Sequence, residues 1–165
     1  MRKSFSMIEM LGVIIVIMIL AGLLFPTISS IIEQGNKTKT KAKIVSLQTA
    51  IMAYKSTYGY LPFTPGKAST DAKLTGAEYT HLLNCLTAKS TADNPRQIRF
   101  LDKKEVNFAD AWEKTFSVML DLDYDGEVDK SLTGTSENVG SETAIVSSGS
   151  DEKGGTDDDI YSWKE

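Results

Sequence analysis

Sixteen consecutive residues, Met10 to Phe25 (MLGVIIVIMILAGLLF), contain no charged side chain. A small water-exposed fold cannot hide such a run, so lipid or other apolar helices must cover it. With Met7 and Ile8 before it and Ile28, Ile31 and Ile32 after it, the segment reaches the ~20 residues that a helix needs to cross hydrocarbon. Arg2 and Lys3 precede it, which places the N-terminus in the cytoplasm and the body outside. The basic start and apolar run also fit a secretory signal, but LLFPTISSII has no A-x-A cleavage pattern. A retained anchor is therefore expected. Glu9 stands at the front of the run. Either its carboxylate reaches back to the headgroups, or it meets a specific cationic partner in a helix bundle.

The rest of the chain is different in kind. Of 165 residues, those beyond position 30 hold 16 basic and 21 acidic side chains, a net charge of −5. That balance argues against nucleic-acid binding, which needs clustered Lys and Arg. The length suits one domain plus a terminal helix. Cys85 is the sole cysteine, so no intramolecular disulfide can form. There is one His and no glycine-rich phosphate loop, and no enzyme activity is expected. Ser150 and Lys153 do form S-x-x-K, but inside an acidic Gly-rich loop rather than at a helix start, so the match is read as chance.

Ile44, Leu47, Ile51, Tyr54 and Tyr58 recur at spacings of 3, 4, 3 and 4, the stripe of an amphipathic helix. Lys37, Lys39, Lys41 and Lys43 recur every second residue, so they wrap the helix as a solvated stretch. The helix should end near Gly59, with Pro62 and Pro65 beyond it. Counted from Phe5 to Tyr58 it would be roughly 80 Å long. Such a helix outruns a small domain, so its second half is expected to pack on a small sheet while its first half lies elsewhere. The fold class is α+β: a long N-terminal helix, part anchor and part amphipathic, against a small antiparallel β-sheet.

Residues 66–105 are less informative. GAEYTHLLNCLTA reads as a short helix with Tyr79, Leu82, Leu83 and Leu86 on its apolar side, and KSTADNPRQ as a loop. His81 and Cys85 sit at i and i+4, a spacing that can share a metal, but two ligands alone make no site and packing is the reading taken. Thr115 to Leu122 reads as a strand leading to a turn at Asp125-Gly126. Asp121, Asp123, Asp125 and Gly126 match the front half of an EF-hand-type calcium loop, whose twelfth position is here Leu132 instead of Glu. They form either a weak second cation site, with Asp129 closing the shell, or a hairpin with exposed acids. Ala144 to Val146 should be a further strand, leading into a loop with Asp151, Asp157, Asp158 and Asp159. Oxygen ligands without His or Cys point to Ca²⁺ rather than Zn²⁺, and Ile160, Tyr161 and Trp163 look like buried anchors behind the loop.

These residues carry a resemblance. SFSMIEMLGVIIVIMILAGLLFP is similar to the N-terminal signature of type IV pilins and type II secretion pseudopilins: a basic leader, Phe-Thr-Leu-Ile-Glu, then an apolar helix bent by a proline. Phe5 to Glu9 fall on the pentad and Pro26 on that proline. The resemblance implies a prepilin leader at residues 1–4, a filament-core or transmembrane helix at 5–30 and an extracytoplasmic pilin-like domain at 31–165. Prepilin peptidase would cut between Ser4 and Phe5, Phe5 would be N-methylated, and Glu9 would pair with the new amine of a neighbouring subunit. Ser4 stands where the family usually has Gly.

YKSTYGYLPFTPG resembles the pseudopilin Tyr-x-x-x-x-Gly-x-Tyr-Pro, with Leu61 inserted before the proline. DAWEKTF echoes Asp-Pro-Trp-Gly-x-Pro-Tyr, keeping Asp110, Trp112 and Phe116. SSGSDEKGGTDDDIYSW resembles the calcium loop of the major pseudopilin, here residues 147–163. The ligands it implies are the side chains of Asp151, Thr156, Asp158 and Asp159 and the backbone carbonyls of Ser148 and Lys153.

The function implied is a structural subunit of a pseudopilus in a type II-type secretion system. It would sit in a bacterial inner membrane with related minor pseudopilins as partners and Ca²⁺ as its ion. A type IV pilus subunit for adhesion, motility or DNA uptake is the alternative within the family. A membrane-anchored calcium-binding module is the alternative of another class.

Overall fold

A computed structural model describes residues 6–62, 70–102 and 108–164, with the side chains of 23–28 outside that set. The chain divides into two units, Met1–Asn36 and Lys37–Glu165. In the first, helix α1 (Met7–Tyr58) begins, and its described apolar side chains from Met7 to Leu20 are all largely exposed. Ile14, Ile17 and Met18 leave 47%, 59% and 65% of their surfaces open, so no side of this stretch has a cover of its own. Among the described residues, no helix is long and apolar enough to cross a membrane. The described side chains break off after Gly22 and resume at Ser29, and the 16 residues from Met7 measure about 24 Å against about 30 Å of hydrocarbon. The side chains of 23–28, with Pro26, lie outside the described set, as does the expected leader, while Ile31 and Ile32 beyond them are exposed.

The second unit builds a core on the later part of α1. Ile44, Leu47, Ile51 and Tyr54 are at most 2% exposed, and the stripe continues into a half-buried Tyr58. Gly59 ends the helix with φ +85°, a left-handed conformation that glycine adopts without steric cost, and its N–H donates to the Lys55 carbonyl at 2.7 Å. Strand β1 (Ala72–Leu74) and helix α2 (Ala77–Leu86) follow, and α2 buries Tyr79, Leu82, Leu83, Cys85 and Leu86 in the same core.

Strands β2 (Ser117–Leu120), β3 (Thr143–Ser147) and β4 (Ile160–Tyr161) complete an antiparallel sheet in the order β1-β2-β3-β4, with α3 (Lys130–Thr133) between β2 and β3. Val118 pairs with Ile145 and Met119 with Ala144. Successive side chains point to opposite faces of a strand. Val118, Leu120 and Ile145 accordingly enter the core under α1, while Met119 and Ala144 join Val128 and Val139 on the reverse face. The 121–142 excursion supplies that second cover through the Val128–Val139 bridge. This is why SVML lacks polar alternation: both faces of β2 are buried. The strand is shorter than the expected Thr115–Leu122, because the chain leaves the ladder at Asp121 to start the excursion.

Candidate functional site

Past β3 the chain turns sharply at Gly149, which has φ +64°. A Cβ there would lie 2.4 Å from the Asp158 carbonyl oxygen and 2.5 Å from its Oδ2, so only glycine lets the two sides of the loop close. Asp158 Oδ2 accepts from the Ser150 N–H at 2.6 Å, the Ser150 hydroxyl at 2.9 Å and the Asp151 N–H at 3.0 Å. Its Oδ1 accepts from the Thr156 hydroxyl at 2.7 Å. These donors, the Thr156 hydroxyl foremost, hold the Asp158 carboxyl well below the usual carboxylate range.

Thr156 Oγ1 is the centre of the cluster. Asp158 Oδ1, the Lys153 carbonyl oxygen and Asp151 Oδ1 lie 2.7, 3.0 and 3.3 Å from it. A hydroxyl has one proton, so Asp158 Oδ1 and the Lys153 carbonyl compete for it, while Asp151 Oδ1 also accepts the Lys153 N–H at 2.8 Å. Asp159 Oδ2 accepts from the Gly155 N–H at 2.6 Å and the Tyr161 hydroxyl at 2.8 Å, while its Oδ1 is buried with no hydrogen bond. A hard cation with six to eight oxygen ligands suits both features, the surplus acceptors and the orphaned oxygen. The donors present therefore fit Ca²⁺. Of the six expected ligands, Asp151, Lys153, Thr156 and Asp158 meet around one hydroxyl and Asp159 adjoins them; Ser148, half-buried after β3, takes no part in those contacts. Exposed Asp157 lies in a groove that Lys37 and Lys41 of α1 also line, and those two cations temper the local negative field.

The base of this loop is fixed from the 109–115 turn. Buried Asp110 accepts from the Trp112 and Lys114 N–H groups, both at 2.9 Å, and from the Ser147 hydroxyl at 2.6 Å. Lys43 Nζ donates to the Ala109 carbonyl at 2.6 Å, and buried Thr40 accepts the Ala111 N–H at 3.1 Å. Lys43 is thus half-buried and engaged, unlike the solvated lysine the sequence suggests. Behind the loop Ile160 is buried, but Tyr161 and Trp163 are only half-buried, their rings tilted at 56° with centroids 5.0 Å apart. Their strand, β4, is the sheet edge, which leaves one of its sides uncovered.

The second acidic loop is arranged otherwise. One carboxylate oxygen each from Asp71, Asp121 and Asp123 lie within 4.8 Å of one another. Asp71, from just before β1, accepts the Leu122 N–H at 3.2 Å and the Asp129 N–H at 2.8 Å. Asp121, 1% exposed, accepts from the Tyr124 and Gly126 N–H groups at 2.6 and 2.9 Å, yet burial still pushes its carboxyl above the usual range. Asp125 turns instead to the Glu127 N–H at 2.9 Å, and Asp71 takes its expected place beside Asp121 and Asp123. No local signal marks Asp71, which arrives from 51 residues upstream of Leu122.

At the N-terminus, Ser4 and Phe5 lie outside the described residues. Glu9 Oε2 accepts the Ser6 N–H at 2.8 Å, while the Ser6 carbonyl accepts the Met10 N–H. S-M-I-E is thus half of a capping box, a pattern readable in the sequence. No family model matches the chain, and no curated protein or solved structure matches it either.

Proposed function

We propose that the chain is a pilin-like structural subunit, processed between Ser4 and Phe5, N-methylated at Phe5 and assembled into the pseudopilus of a type II-type secretion system. The observation that carries this reading is the contrast in cover: Met7 to Leu20 expose their apolar side chains on every side of α1, while Lys37–Glu165 buries its own. An uncovered apolar helix on a finished domain needs lipid before assembly and other helices afterwards. In the filament Glu9 pairs with the methylated amine of a neighbouring Phe5, and Ca²⁺ closes the 147–163 loop through Asp151, Lys153, Thr156, Asp158 and Asp159.

One observation favours a second reading, a membrane-anchored calcium-binding module that does not assemble. The Ser6–Glu9 hydrogen bond gives the glutamate a local role in starting the helix. Glu9→Gln separates the two, since Gln also serves at this capping position. For a filament subunit, the variant keeps its helix but loses assembly, read by crosslinking between subunits in membranes. N-terminal mass spectrometry of the mature protein should find methyl-Phe5. An intact Met1, or a cut after residue 25, overturns the filament reading.

A further inference from the structure

Helix α2 places His81 and Cys85 one turn apart on the same side, and the loop after it brings in Asp93. One ligand atom from each lies within 4.8 Å of the others. His81 Nε2 is 3.2 Å from Asp93 Oδ2, yet this buried nitrogen makes no hydrogen bond. Cys85 is fully buried and Asp93 is 9% exposed. Ser90 Oγ donates to Asp93 Oδ2 at 2.8 Å, the kind of outer partner that orients a ligating carboxylate. The mouth is open on one side, because 40% of the His81 side chain faces solvent.

We propose that His81, Cys85 and Asp93 form a Zn²⁺-class metal site, binding through imidazole Nε2, thiolate Sγ and carboxylate Oδ2, with a fourth position left open. The mixed nitrogen, sulfur and oxygen set belongs to the borderline-soft ions and is distinct from the oxygen-only loops that suit Ca²⁺. In a tetrahedral zinc site the ligand atoms stand roughly 3.3–3.8 Å apart, so the His81–Asp93 separation already matches and side-chain motion of about 1 Å suffices for the rest. On binding, the Cys85 thiol loses its proton to solvent as the metal–sulfur bond forms, and His81 offers its Nε2 lone pair. The ion ties α2 to the 89–97 loop. That loop also receives the Tyr54 hydroxyl at the Asp93 carbonyl and the Tyr58 hydroxyl at Asn94 Oδ1. Its effect therefore reaches the end of α1.

Cobalt(II) tests the site in the full chain held in detergent, with excess Ca²⁺ present to occupy oxygen-only loops. Because Cys85 is the only cysteine, a thiolate-to-cobalt charge-transfer band reports this position alone. The expected result is one such band per chain, displaced by one equivalent of Zn²⁺ and absent from Cys85→Ser. His81→Ala, which alters a part-exposed side chain, should weaken cobalt binding by more than the roughly 10–100-fold that loss of an outer contact brings. Asp93→Asn should do the same while keeping an acceptor for Ser90. Absence of the band in the wild-type chain overturns the site. So does a band whose affinity is unchanged in both His81→Ala and Asp93→Asn.

Discussion

The chain carries two acidic loops that look alike on paper and differ in how their oxygens are satisfied. Around Asp71 and Asp121, the carboxylate oxygens are answered by backbone N–H groups of Leu122, Tyr124, Gly126 and Asp129. Around Asp151 and Asp158, three oxygens crowd one Thr156 hydroxyl, and Asp159 Oδ1 has no hydrogen bond at all. Both loops spend backbone N–H groups on carboxylates; the second differs in the oxygens crowded on one hydroxyl and in the orphaned Asp159 Oδ1. A count of aspartates ranks them equally, whereas an account of every lone pair separates them.

Breaking the close approach at Gly149 should have the largest effect. Gly149→Ala forces a Cβ into Asp158 at a positive φ, at a cost of about 2–4 kcal/mol, and should abolish any calcium-induced rise in melting temperature. A variant that melts and responds like the wild type would remove the proposed geometry. Next comes the loops' contrast itself. Asp158→Ala should eliminate the calcium-dependent shift in Tm, whereas Asp123→Ala should retain it; equal losses would mean that both loops bind the ion. Asp121→Ala takes the acceptor from the exposed Tyr124 and Gly126 N–H groups and empties a buried position, costing about 1–2 kcal/mol with or without calcium.

Acid should separate the loops more gently. Asp158 has a lowered carboxyl pKa, so its contribution is present above the ordinary value of about 3.9 and disappears as pH falls through the folded one. Asp158→Asn should therefore flatten the acid limb of a stability–pH curve. Asp121 is shifted upward, so its proton is held more tightly in the folded chain and its contribution is lost as pH rises. Asp121→Asn should steepen the same limb. Parallel changes in both variants would erase the distinction.

Much of the main core was readable because it repeats. The 3-4-3-4 stripe from Ile44 to Tyr58 named the buried side of α1, and Gly59 with the prolines beyond it named its end. Tyr79, Leu82, Leu83 and Leu86 on α2 followed from the same periodicity. What stayed hidden was contributed from a distance. KSTADNPRQ reads as a plain loop, yet Asn94 within it is fully buried and hydrogen-bonds to the Cys85 and Ile98 carbonyls at 2.8 and 2.7 Å. Asp71 and Asp93 join their clusters only through tertiary folding, and local spacing carries no record of such a meeting. The Ser6–Glu9 cap was legible as S-x-x-E, a local role for Glu9 beside the expected pairing with a neighbouring subunit.

The double-sided burial of β2 also orders events in time. The stripe on α1 is covered by Val118, Leu120 and Ile145, yet β2 begins 59 residues after Tyr58 (117 − 58), and its partner β3 comes later still. During synthesis the stripe therefore waits, open, until those strands follow. Pairing of strands this far along the chain is slower than helix formation. The nascent chain must spend an interval with that apolar stripe uncovered, so the domain closes only once its last strands have been made.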